Sequence, residues 1–135
     1  MANSPRDLRY SKEHEWVKME PDGTALIGIT FFAQDQLGDV VYVVMPKVGA
    51  KVKQFAKLGE VESVKAVSDI FSPIGGEVVA VNEQVTTKPE TVNADPYGKA
   101  WLVRVKPSNP GETSALLTGE QYDAFLASGA AEKGH

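Results

Sequence analysis

Short apolar stretches rich in β-branched and aromatic residues recur along the chain, with glycine and proline at close intervals between them. That pattern belongs to a sandwich or partly closed barrel rather than to a parallel sheet. Strands are predicted over residues 16–19, 25–30, 40–45, 59–64, 66–71, 77–81 and 101–105. The first two flank Glu20-Pro21-Asp22-Gly23, whose Asp-Gly step supplies the positive φ angles of a tight hairpin. Helical spacing takes over in two regions. Thr30 can cap a helix over residues 31–37 that stops at Gly38. Asn109-Pro110-Gly111-Glu112 offers a second start, with proline at the first helical position. Thr118-Gly119-Glu120-Gln121 fits a capping box, after which Tyr122, Phe125 and Leu126 share one face and Gly129 ends the helix. The expected layout is one domain over residues 1–135, with a β-sandwich core over about 8–106, a helical segment over about 109–129 and a loose tail over 130–135.

Val48-Gly49-Ala50-Lys51-Val52 and Ile74-Gly75-Gly76-Glu77-Val78 are faintly similar, and Lys65 lies midway between them. Composition then narrows the chemistry. The formal charge of -4 argues against a nucleic-acid partner, which requires a positive surface. The longest apolar run, residues 40–45, is far too short to span a membrane, and no apolar signal core follows Met1, so the cytosol is the expected compartment. The absence of cysteine removes thiolate nucleophiles and disulfides, so any sulfur redox chemistry must come from a cofactor. His14 and His135 stand at opposite ends of the chain and cannot form a histidine-rich metal cluster.

Residues 59–69, Gly-Glu-Val-Glu-Ser-Val-Lys-Ala-Val-Ser-Asp, alternate as two strands meeting at Val64-Lys65. A turn without glycine, asparagine or proline is unusual, because those residues normally relieve its backbone strain. Taken alone, such a lysine is an ordinary solvated side chain. The Glu62-Ser63-Val64-Lys65-Ala66 run, however, resembles the attachment site of glycine cleavage system H proteins, whose lysine carries lipoate. Tyr10-Ser11-Lys12-Glu13-His14-Glu15-Trp16-Val17 is similar to that family's opening strand. Gly28-Ile29-Thr30, Ala33-Gln34 and Leu37-Gly38-Asp39-Val40-Val41 are similar to its next block. Ser72-Pro73-Ile74-Gly75-Gly76-Glu77-Val78, Val92-Asn93-Ala94-Asp95-Pro96-Tyr97-Gly98 and Trp101-Leu102 complete the resemblance, in the family's order.

The resemblance implies a mainly β hybrid barrel-sandwich and a non-catalytic carrier. Lys65 would hold lipoate as an amide, removing one positive charge, with Glu62, Ser63, Val64 and Ala66 as the context read by a lipoate ligase or lipoyltransferase. The implied partners are glycine decarboxylase (P protein), which loads an aminomethyl group, a tetrahydrofolate-dependent aminomethyltransferase (T protein), which removes it, and dihydrolipoamide dehydrogenase (L protein), which reoxidises the arm. Glu15 and Asp69 are implied to line a groove for the loaded arm. Phe31-Phe32 stands where relatives carry a polar pair that includes histidine, which puts in doubt a polar contact from the short helix. Location would be bacterial cytoplasm, or the mitochondrial matrix for a processed eukaryotic form.

Neighbours in a strand face opposite ways, so His14 and Glu15 cannot serve one site as acid and base, and His14 reads as structural. Trp16 and Trp101 read as core. Lys47, Lys51, Lys53 and Lys57 form a positive stretch, ordinarily a solvated face and alternatively a dock for an acidic partner. Four rivals stay open. An acyltransferase lipoyl domain usually has aspartate before the lysine, and a biotin carrier brackets it with methionines, whereas Val64 and Ala66 stand here. A Schiff-base lysine needs burial or a nearby cation, which a tip beside Glu60 and Glu62 does not offer. An unlipoylated interaction module would carry no added mass.

Overall fold

The computed structural model describes residues 4–129. Arg9–Tyr10 (β1), Glu15–Met19 (β2) and Ala25–Ile29 (β3) form an antiparallel meander, and Gly23 takes φ +89° in its second turn, as the Asp-Gly step predicts. Phe31–Leu37 is helical (α1): Thr30 Oγ1 accepts the Ala33 N–H at 3.2 Å, and Gly38 ends it at φ +80°. Strands Val40–Val44 (β4), Lys51–Val52 (β5), Lys57–Ser63 (β6), Val67–Phe71 (β7) and Gly76–Val81 (β8) follow. Two short helices, Glu83–Thr87 (α2) and Thr91–Ala94 (α3), lead to Val103–Pro107 (β9). A 3-10 turn at Pro110–Ala115, strand Leu117–Thr118 (β10) and helix Gly119–Ala127 (α4) complete the described chain.

The strands form two sheets, β10-β1-β2-β3-β9-β8-β5 and β4-β6-β7. Their inner faces meet in one apolar cluster, in which Val17, Ile27 and Val105 of the larger sheet are buried with Val43, Val61 and Ile70 of the smaller. Burying those faces is the main favourable term in folding. The mainly β, two-sheet architecture is therefore the one the alternation predicts. Leu8, Tyr10, Trp16 and Tyr122 form a second cluster where α4 closes one side of the larger sheet. Gly59 in β6 marks the tightest approach within the smaller sheet, since a Cβ there would lie 2.2 Å from the Val44 carbonyl oxygen.

Sequence and structure differ at several points. Helices α2 and α3, of 5 and 4 residues, fall in a region read as loop, because so few residues give no helical period. The helix expected from Asn109 is a 3-10 turn with no buried residue, so no apolar face extends it. The strand expected over 101–105 runs over Val103–Pro107 instead. The two faintly similar segments prove to be partners: Lys51 pairs with Glu77 and Val52 with Gly76, tying the chain together at the base of the β6–β7 hairpin. The tail predicted over 130–135 lies outside the described residues.

Candidate attachment site and its groove

Lys65 is exposed at the turn between β6 and β7, and its flanks Glu62, Val64 and Ala66 are exposed with it. The backbone here avoids positive φ, so neither primed hairpin turn is used. Ser63 supplies what glycine normally would. Its hydroxyl oxygen accepts the Ala66 N–H at 3.1 Å and the Lys65 N–H at 3.3 Å, while Ser63 N–H donates to the Ala66 carbonyl at 2.8 Å. Ser63 is itself buried, which places it beneath the turn rather than on the surface a ligase would read. The Val64 N–H donates to the Asp39 carbonyl at 3.0 Å, fastening the turn to the segment after α1.

That segment is held in turn by Asn93 of α3. Its amide nitrogen donates to the Gly38 carbonyl at 2.8 Å and to Gln34 Oε1 at 2.9 Å, and its oxygen accepts the Val40 N–H at 2.9 Å. A Cβ on Gly38 would sit 3.6 Å from Lys65 Cε, so the lysine stem lies along the C-terminal end of α1. Asn93 thus supports Lys65 from 28 positions away in sequence, a connection no local pattern reveals.

Beside Lys65 a groove of about 550 Å³ runs between β7 and α1. Phe32, Ala33, Leu37, Ala66 and Val67 give it apolar walls, and Glu13, Gln36, Ser68 and Asp69 give it polar groups. Strand β7 recedes from the tip at ~3.3 Å per residue, so Asp69 stands ~13 Å along the groove. Asp69 is exposed and ion-paired with Lys57 at 3.3 Å. Glu15 is not a groove-surface carboxylate. It is fully buried, accepting the Ser11 hydroxyl at 2.5 Å and the Phe71 N–H at 3.1 Å on the free edge of β7. Burial pushes its carboxyl up to about 8, so it holds its proton at neutral pH. A cavity of about 20 Å³ nevertheless brings Glu15 together with Glu13, Ser68 and Asp69 under the groove. Glu13 was missed because His14, at φ +73°, breaks the strand alternation that would have linked residues 13 and 15.

His14 and Phe32 also border this groove. His14 is buried, shares a 2.8 Å hydrogen bond with the Tyr122 hydroxyl and lies 4.7 Å from the Phe32 ring, which makes it structural. It and Glu15 reach different partners, although His14 lies just before β2 in a left-handed conformation and not in the strand. Phe31 is exposed and Phe32 half-buried in the groove wall, so Gln36 is the polar group this helix offers. Trp16 is core, with Nε1 donating to the Pro96 carbonyl at 2.9 Å, and Trp101 is half-buried against the same cluster. Lys57 is drawn to Glu60 and Asp69. An exposed turn gives Lys65 none of the burial that activates a Schiff-base lysine.

This geometry, an exposed lysine at a β-hairpin turn beside an apolar groove, can be set against known proteins. The sequence profile of the glycine cleavage H-protein family matches residues 8–129. The chain belongs to this family. The glycine cleavage system H protein of Symbiobacterium thermophilum is 52% identical over 129 residues, covering 96% of this chain and 100% of that protein. The H protein of Bacillus velezensis is 54% identical over 121 residues, covering 90% and 94%. A crystal structure of a glycine cleavage system H protein from Mycobacterium marinum superimposes with a TM-score of 0.84 at 41% identity, over 91% of this chain and 98% of that one. As an H protein the chain is a carrier subunit of the glycine cleavage system and not itself a catalyst, which sets aside the acyltransferase, biotin-carrier and Schiff-base readings. No helix among the described residues is long and apolar enough to cross a membrane.

Proposed function

We propose that this H protein carries lipoate as an amide on Lys65 and presents the arm to the enzymes of glycine cleavage. The observation that carries the reading is an exposed amine at a hairpin turn whose backbone is held by Ser63 and Asp39, so the tip is fixed while the side chain is free to be acylated. When bound, lipoate supplies a dithiolane that accepts the aminomethyl group and electrons together. The residues around the site fit such an arm. The groove offers apolar walls within reach of a lysine lengthened by a lipoyl chain, and excludes water from what it covers. Glu13 and Asp69 at its side supply acceptors for an ammonium at the far end. Exposed Glu62, Val64 and Ala66 are the groups a lipoate ligase or lipoyltransferase can read, while buried Ser63 shapes the turn they stand on.

The partners in this reading are glycine decarboxylase, the aminomethyltransferase and dihydrolipoamide dehydrogenase, in the cytoplasm of a bacterium like those of the relatives quoted. The test is intact mass and peptide mapping after co-expression with a lipoate ligase. The native chain should gain one lipoyl increment on Lys65, and Lys65→Arg should gain none, fail to support glycine cleavage and unfold at the same temperature. Lipoyl mass on another lysine, or an arginine variant that sustains glycine breakdown, rejects the proposal.

A further inference from the structure

The groove runs along the β7 edge of the attachment hairpin, where Val67 and Asp69 line it. From that edge the outer face of β4-β6-β7 continues across the sheet, with Tyr42, Val44, Glu62, Val67 and Asp69 exposed on it. Register fixes what it carries. Tyr42, Glu62 and Val67 form one rung across the three strands, and Val44, Glu60 and Asp69 form the next. The face runs directly to Val64 and Lys65 at the tip. Of the ten large apolar residues left exposed among those described, five lie on this small sheet or its turn: Val41, Tyr42, Val44, Val64 and Val67. Tyr42 is 57% exposed, an aromatic side chain that costs little entropy to immobilise in an interface. A bulge between Val40 and Tyr42 places Val41 and Tyr42 both in solvent, adding apolar area at the edge of the face.

The charges beside these apolar groups are of one sign. Glu60, Glu62 and Asp69 stand against a single lysine, Lys57, which lies 2.6 Å from Glu60 and 3.3 Å from Asp69. Lys65 is the next cation, and acylation removes its charge, so the face is most negative in the chain that has received its arm.

We infer that this outer face is the surface on which a partner enzyme seats the lipoylated protein. The partner it fits carries lysine or arginine side chains around an apolar hollow that receives Tyr42 and Val44, beside the channel that takes the arm. Charge complementarity of this kind accelerates encounter, and the apolar rungs hold the complex. The inference rests on the reading of Lys65 as the lipoyl site.

Glycine decarboxylase is the probe, with the lipoylated chain as varied substrate and the lipoyl increment on Lys65 verified by mass for every variant. The Tyr42→Ser/Val44→Ser double variant should raise KM for the carrier about tenfold and leave kcat unchanged, because both side chains are exposed and remote from the reacting atoms. Added salt should raise the native KM, and Glu60→Gln should flatten that dependence. Val79→Ser, an exposed apolar position on β8, should behave as native. A lipoylated double variant with native KM, or a Val79→Ser variant that raises KM equally, overturns the docking face and leaves the carrier reading intact. Self-association lost in the double variant while KM stays native also overturns it, by assigning the face to a second copy. A native chain that takes no lipoyl mass on Lys65 removes the carrier reading and the docking proposal together.

Discussion

The two ends of the attachment hairpin are built in opposite ways. At the tip, Val64, Lys65 and Ala66 are exposed, and the turn rests on hydrogen bonds to one buried hydroxyl and one neighbouring carbonyl. At the root, Leu58, Ile70 and Ser72 are buried, Gly59 is pressed against the Val44 carbonyl, and the Phe71 N–H is bound by the Glu15 carboxyl. The root is therefore specified by packing, where volume is felt to a single methyl group. The tip is specified by backbone hydrogen bonding, which leaves its side chains free for chemistry. A carrier needs both: a rigid base that aims the lysine, and a tip that costs no core contact when an enzyme engulfs it.

Three substitutions sharpen or break this contrast. A large effect on stability should come from Gly59→Ala, whose new methyl group would meet the Val44 carbonyl, which cannot move aside, as well as the end of the Met45 side chain. We expect about 3 kcal/mol lost in denaturant unfolding, with the folded fraction still lipoylated at the native rate. A native unfolding midpoint would show that the root tolerates volume and remove the contrast. Ser63→Ala should cost about 1 kcal/mol, since the tip amides it serves can turn to water. Its larger consequence should be a lower kcat/KM for lipoylation, measured by mass against time. Acylation at the native rate would mean that the turn needs no fixed shape.

The effect of the third substitution, Glu15→Gln, appears as a pH dependence rather than as a change at one pH. Burial raises the carboxyl from 4.5 to about 8, so between those values the folded chain keeps a proton that the unfolded chain has released. The stability associated with this group is complete below about 4.5, falls as pH rises towards about 8 and levels off beyond. Glutamine should flatten that slope, compared by denaturant unfolding at pH 5 and pH 9. An unchanged slope would mean that the root carboxyl does not hold its proton.

Much of this protein was legible along the chain. Helix α1 matches its predicted span because Thr30 and Gly38 bracket it with local signals. The capping box at Thr118 and Gln121 forms as its spacing implies. The puzzle of a hairpin turn without glycine, asparagine or proline was visible in the sequence, but its solution required the side chain of Ser63 to be seen beneath the turn. The resemblance points Glu15 toward the groove, and the structure sets its protonated carboxyl below it, because burial and the β7 edge are not local properties. Glu13 and Asn93 sit in segments that carry the resemblance, yet no local pattern shows their roles, one hidden by the left-handed His14 and the other reaching across the fold to Gly38.

By itself the sequence determined the strand alternation, the caps, the cysteine-free chemistry and the lysine at the reversal between two strands. Those features follow from neighbours within a few residues, where backbone sterics and side-chain period act directly. Only the tertiary structure decided which carboxyls meet beneath the groove, that Asn93 supports the tip, and that one face of the small sheet stays exposed. Each of these depends on groups brought together from distant parts of the chain, and such proximity exists only once both apolar faces have packed.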